Sequence, residues 1–180
     1  PSPLAEKAAG KLEQGDPGAA IKTLEAAKDE IVDDPSAQLQ LGHAHAAKRN
    51  NMAALEAYRR ALALDPALTA DPALRANLDA IAGDKDGMAA IGALMISIEH
   101  LQDEAARGRL AEMASKHDDM AVRHAAAVQA KELGLAERID WMSSYSLDLT
   151  QGETCKVRKE AVAKLRALGD PRAVPALDKA

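Results

Sequence analysis

The chain has 180 residues, of which 47% are apolar and 2% aromatic, and its net charge is −5. That length allows one domain or two small ones with a real core, while the charge excludes nucleic acid as the primary partner, because phosphate backbones require a basic field. About 40 alanines and no phenylalanine exclude a sheet core and predict helices that approach closely through small side chains.

The single cysteine rules out an internal disulfide. No apolar run reaches the roughly 20 residues needed to cross a bilayer. The longest, Met88–Ile98, is short and helix-patterned, so no membrane insertion is expected. No signal peptide is visible, and the expected location is cytoplasmic. The chain opens on Pro1 without a methionine and ends inside an unfinished repeat, so it is expected to be a piece of a longer protein.

In chain order, Leu4 and Ala8 mark a first helix and Gly15-Asp16 a turn. Ala20, Ile21, Leu24 and Ala27 mark a second helix. Its closing Asp-Pro is delayed to Asp34-Pro35, which predicts a helix almost one turn longer than usual. A third helix is expected from Ser36 to Lys48, with Leu39, Leu41, Gly42 and His45 on it, and a turn at Arg49–Asn51. The fourth carries Ala54, Tyr58, Ala61 and Leu62 and stops at Asp65-Pro66, since proline cannot continue a helix. Gly42, Ala54 and Ala61 are small enough to let paired helices cross closely. Leu41, Gly42, Ala54, Tyr58, Ala61 and Pro66 fall at signature offsets within a 34-residue period. This segment resembles a tetratricopeptide (TPR) repeat, with His45 in a place usually given to tyrosine. The resemblance implies a TPR pair over Pro1–Ala67.

Beyond Leu68 the period changes. Ala121–Gly134 aligns with Lys156–Gly169 so that Val122/Val157, Arg123/Arg158, Ala126/Ala161, Ala130/Leu165, Leu133/Leu168 and Gly134/Gly169 lie 35 residues apart. Each apolar set follows one helix face and ends on a glycine. Ile139/Val174 and Met142/Leu177 continue the register, and Ile91, Met95 and Ile98 give a fainter upstream copy. The run Leu168–Leu177 is similar to the short bacterial HEAT-like repeats named for the phycobilin lyases. That resemblance implies about three HEAT-like units over residues 68–180. The expected fold is therefore all-α, a right-handed helical-repeat solenoid of ten or eleven helices. Ala67–Asp71 forms its junction, and the two arrays stack into one body.

Chemistry is scarce in this pattern. His43 and His45 are two apart and point to different sides of a helix, His117 and His124 straddle a turn, and Glu99-His100 reverses the His-Glu order that metal-binding helical hydroxylases carry. No zinc, calcium or nucleotide motif occurs, and Cys155 has no pattern that would activate it. The expectation is no enzyme activity, no metal and no cofactor.

Binding is the remaining use. The TPR resemblance implies that Leu39, His43, Ala46 and Ala47 face a groove, with Ala5, Ala9, Leu12 and Glu13 in the earlier unit. Ala5 and Ala9 occupy places where some TPR domains hold Lys and Asn against a C-terminal carboxylate, so that clamp is absent. The pair then either binds or simply orients the HEAT-like part. A second candidate comes from spacing. Met113 to Val122 spans nine residues but Met142 to Val157 spans fifteen, which places about six extra residues in a loop at Leu147–Lys156. Insertions at one solenoid loop often serve a binding face. Trp141 and Tyr145 lie one turn apart just before it, with Thr150 and Gln151 inside it. Either the two aromatics anchor a partner or they pack beside the longer loop. The expected partner is a protein or peptide. The leading reading is a non-enzymatic interaction scaffold or regulatory segment of a larger bacterial protein, such as a signalling kinase. The alternative is an accessory subunit of an enzyme like the phycobilin lyases.

Overall fold

The computed structural model describes residues 1–178, and they form eleven α-helices and three short 3-10 turns with no strand. They divide into two compact units, one from Pro1 to Asp103 and one from Glu104 onward. None of the described helices is long and apolar enough to cross a membrane.

The first unit contains α1 (Pro3–Glu13), α2 (Pro17–Glu25), α3 (Pro35–Ala47), α4 (Asn51–Leu64), α5 (Pro72–Ala82) and α6 (Gly87–Leu101). Its Asp-Pro dipeptides start helices. Asp16, Asp34 and Asp71 each accept a backbone N–H in the first turn of α2, α3 and α5, and the proline sits where no N–H is needed. Asp65-Pro66 likewise opens a 3-10 turn, Pro66–Ala70, leading to the Asp71 cap. Successive helices pack in pairs, α1 on α2, α3 on α4 and α5 on α6, and α3 and α4 also meet α2 and α6 respectively. Ala8, Ala20, Leu24, Ala37 and Ala44 are completely buried where α1, α2 and α3 meet. A buried leucine such as Leu24 contributes about 1.5–3 kcal/mol relative to exposure. Along α6, residues 93–98 are all buried, as expected of a helix that is apolar on almost every side.

One expectation fails here. The second helix is not lengthened: α2 stops at Glu25, and residues 26–34 run as successive turns. Those turns bring Ile31 into the core, 2% exposed. The Gln38 side chain then donates to the Ile31 carbonyl at 2.9 Å. Burying Ile31 with its carbonyl satisfied outweighs continuing a helix through Lys28-Asp29-Glu30, three charged residues that have nothing to pack against.

The second unit contains α7 (Glu104–Lys116), α8 (Met120–Glu132), α9 (Trp141–Gln151), α10 (Cys155–Leu168) and the short α11 (Val174–Leu177). Part of the 35-residue register has matching structure, but Val174 is 54% exposed where Ile139 is 5% exposed. Gly134 and Gly169 end α8 and α10 at φ +72° and +63°, a conformation that favours glycine because it has no Cβ. Ala126 and Ala161, and Ala130 and Leu165, are buried at matching places.

The inserted loop does not exist. Three residues (117–119) join α7 to α8, and three (152–154) join α9 to α10. The helix runs three residues past Met113 in α7 but nine past Met142 in α9, so all six extra residues are helical. Thr150 and Gln151, expected in a loop, close a helix instead. The reason is Asp148, which this extension carries into a buried ion pair.

Candidate functional site

In the first unit, Gly42 of α3 creates the space for Tyr58 of α4. A Cβ at Gly42 would lie 2.3 Å from the tyrosine ring, and Tyr58 is completely buried. Its hydroxyl reaches a polar chain. His43 points Nε2 toward Asp71, 3.5 Å away, which assigns the ring hydrogen to Nε2 and leaves Nδ1 to accept. The Tyr58 hydroxyl donates to Nδ1 at 3.0 Å and accepts from Asn77 Nδ2 at 2.7 Å. The rings of His43 and Tyr58 meet edge to face at 5.6 Å. Burial lowers the His43 pKa, only partly opposed by the Asp71 charge. Burial likewise raises that of Tyr58. A neutral imidazole and a firmly protonated phenol make a cross-link between α3, α4 and α5 rather than a nucleophile.

Of the TPR-derived groove residues, Leu39 is buried at 5% exposure, and His43 belongs to this polar chain. Ala46 is half-buried and Ala47 exposed. Ala5 is buried, Ala9 and Leu12 are half-buried, and Glu13 is exposed. His45 keeps Nδ1 buried with no hydrogen-bond partner among the described residues.

In the second unit, Asp140 caps α9 through Ser143 N–H at 3.3 Å and accepts the Ser143 hydroxyl at 2.7 Å. That hydroxyl bond is the chief reason its carboxyl titrates below the usual range. Trp141 follows, half-buried. Its indole N–H donates to the Ala136 carbonyl at 3.0 Å. Its ring stacks on Tyr145 at 5.4 Å. The Lys131 ammonium lies 4.6 Å from the Trp141 ring centre, and Lys164 lies 5.3 Å from that of Tyr145. The two aromatics thus tie α8, α9 and α10 together, and Tyr145 also packs against buried Leu149, Ala161 and Leu165.

Beside them lies a feature that the sequence reading aligned without assigning a role. Arg123 of α8 is completely buried. Its Nη1 donates to the His117 carbonyl at 2.5 Å. Its Nη2 donates to Asp148 at 2.5 Å and Gln151 at 3.1 Å, both on α9. His124 Nε2–H donates to the other Asp148 oxygen at 2.8 Å. Asp148 is 2% exposed, so each charge is compensated only by the other's presence. Ser144 is buried one turn before Asp148 on the same face. That i, i+4 pairing was the available sign that Leu147–Gln151 continues the helix.

Arg158, 35 residues after Arg123, repeats the first bond: its Nη1 donates to the Gly152 carbonyl at 2.7 Å. Here the resemblance ends. Arg158 is exposed and lines a groove of about 880 Å³ along α10. Leu149, Val162, Ala163 and Leu177 form its apolar surface, with Thr150 and Cys155 toward one end. Lys159 and Arg166 join Arg158 as cations. Thr150 is therefore at the groove, whereas Gln151 is committed to Arg123. Cys155 is exposed at the start of α10. Among the described residues, no three His, Cys, Asp or Glu side chains are grouped to hold a metal.

No family model, curated protein or solved structure matches the chain.

Proposed function

We propose that the chain is a non-enzymatic protein-interaction scaffold, a regulatory or assembly segment of a larger bacterial protein built from TPR-like and HEAT-like units. The observation that carries this reading is the groove on α10. It mixes apolar and cationic side chains and is open to solvent, while Tyr58, Arg123 and Asp148 are buried inside the fold. Buried polar groups that pair with one another hold helices together; an exposed apolar and charged surface offers affinity to a partner. The partner is a protein or peptide, and no cofactor enters the reading.

The test is recovery of a stoichiometric protein complex from source cells after cross-linking to the intact chain, followed by reconstitution from purified components. A defined complex supports the scaffold. Failure to reconstitute any complex, or turnover of a substrate by the chain alone, counts against it.

The phycobilin-lyase-like alternative has one observation in its favour. Arg158, Lys159 and Arg166 at an apolar groove have the charge that tetrapyrrole propionates require. An exposed helix face is nevertheless a poor shield for a pigment. Saturable spectral shifts on titrating a linear tetrapyrrole would favour that reading.

A further inference from the structure

We infer that Asn77 is a proton-operated amide switch. When His43 takes up a proton, the Asn77 carboxamide turns over, and the face shared by α3 and α5 exchanges a hydrogen-bond acceptor for a donor. Three polar atoms form a triangle there. The Tyr58 hydroxyl lies 3.0 Å from His43 Nδ1, Asn77 Nδ2 lies 2.7 Å from that hydroxyl, and 3.2 Å separates Nδ2 from Nδ1. With His43 neutral, Nδ1 and the hydroxyl oxygen both accept, and the donors that meet in the triangle are matched. A proton added to Nδ1 leaves three donor groups and the phenol oxygen as sole acceptor. Tyr58 is completely buried, and an unmatched donor is costly in such a place. Half a turn of the Asn77 amide restores the match, because Oδ1 then accepts from both Nδ1–H and the Tyr58 hydroxyl. Amide oxygen and nitrogen occupy nearly the same space, so the turn needs no extra room.

The charges around His43 suit a switch. Asp71, at the cap of α5, faces Nε2 at 3.5 Å and favours the charged ring, while burial opposes it. Burial keeps Tyr58 of α4 protonated. Glu25 of α2 acts on His45 rather than on His43, and α1 meets α3 through Ala5 and Ala8. Asp71 is therefore the counter-ion already in place when Nδ1 gains its proton. The outer end of the amide carries the change to the surface. Asn77 is half-buried, and its Oδ1 makes no hydrogen bond and is not sealed from solvent among the described residues. Ala73 and Ala80, one turn to either side on α5, are exposed, so small side chains leave the amide open. With His43 neutral this face offers an acceptor and suits an N–H group. With His43 charged it offers an N–H and suits a carbonyl or carboxylate.

Nuclear magnetic resonance of the intact, isotope-labelled chain tests the switch. Exchange of the Asn77 side-chain amide protons with water is followed across the His43 titration, with the exposed Asn50 amide as reference. Above the His43 midpoint the Asn77 protons are expected to exchange more slowly than those of Asn50, and below it that protection is lost. His43→Gln removes the titrating group and should make the ratio independent of pH. Asn77→Leu supplies a readout that a merely structural role would not give. An Oδ1 that turns inward supports the charged ring, so its removal lowers the His43 midpoint. An Nδ2 that stays inward supports the neutral ring, and its removal raises the midpoint. Circular dichroism checks that each variant keeps the parent helicity; should Asn77→Leu lose it, amide exchange in the parent chain decides alone. The switch is overturned by protection that persists below the midpoint, by a midpoint that rises or stays unchanged in Asn77→Leu, or by unfolding of the first unit before His43 titrates.

Discussion

The two compact units each join three elements through one buried polar cluster, and they do so on different principles. In the first, neutral groups are held by shape: Gly42 admits the Tyr58 ring, and its hydroxyl completes a chain through His43 and Asn77. In the second, a buried guanidinium is held by charge and passes from the His117 carbonyl to Asp148. The shape-based cluster depends on a close approach at one point. The charge-based one is assembled from a residue that recurs in the 35-residue register, and its second copy at Arg158 keeps the bond to the preceding connection while its side chain stays exposed. A repeated residue can therefore stabilise the fold in one copy and present a surface in the next.

The largest expected effect separates Arg123 from Arg158. Arg123→Gln leaves Asp148 buried without its counter-charge and should cost about 3–5 kcal/mol. Arg158→Gln removes a partly buried bond made by an exposed side chain and should cost about 1 kcal/mol. Urea unfolding followed by Trp141, the chain's single tryptophan, reports the difference. Equal losses would mean that both arginines are structural.

The steric basis of the first cluster is tested by Gly42→Ala. The added methyl meets the Tyr58 ring, and overpacking of this kind costs about 1–3 kcal/mol. Gly10 provides the control. It lies within α1 with nothing close to an added Cβ, so Gly10→Ala should instead stabilise by about 0.5–1 kcal/mol. Opposite shifts in thermal midpoint are expected, and a neutral Gly42→Ala would remove the close approach from the account.

If the two repeats obey the same local rules and differ only in what covers them, their terminal glycines should behave alike. Gly134→Ala and Gly169→Ala each force alanine into a left-handed conformation, at about 1–2 kcal/mol. Neither position has a neighbour within 4 Å of the added Cβ, so similar losses are expected in denaturant unfolding.

The smallest effect is a pH dependence of the first cluster. Burial lowers the pKa of His43, and of His45 in the same helix, below the ordinary imidazole value of 6.5. Between the folded and unfolded pKa values the unfolded chain binds more protons, so stability should fall as pH drops below about 6.5. His43→Gln should flatten part of that slope. A stability that rises on acidification through the same window would contradict the burial argument.

Much of the helical pattern was legible in the sequence, because apolar periodicity, Asp-Pro breaks and terminal glycines act locally, although the Asp-Pro dipeptides open the next helical element rather than only closing the last. The small residue at Gly42 and the recurrence of Arg123 at Arg158 were also visible as spacing, although the contact of Gly42 with Tyr58 was not. What spacing alone did not reveal was where the extra residues went. The step from Met142 to Val157 measured an insertion correctly, but Thr150-Gln151-Gly152 reads like a loop. The contact that makes it helical joins Asp148 to an arginine 25 residues away. The shortened α2 has the same origin, since the Gln38–Ile31 bond that shapes the turns after it is invisible to local pattern. Asp71 and Asn77 were missed around His43 because they come from another helix and its cap.

The central claim is that Arg123 and Asp148 join α8 to α9 as a buried ion pair. Urea unfolding of Arg123→Gln, Asp148→Asn and the two combined tests it most directly. The account predicts that the combined variant loses less stability than the sum of the two single losses. Additive losses would contradict it.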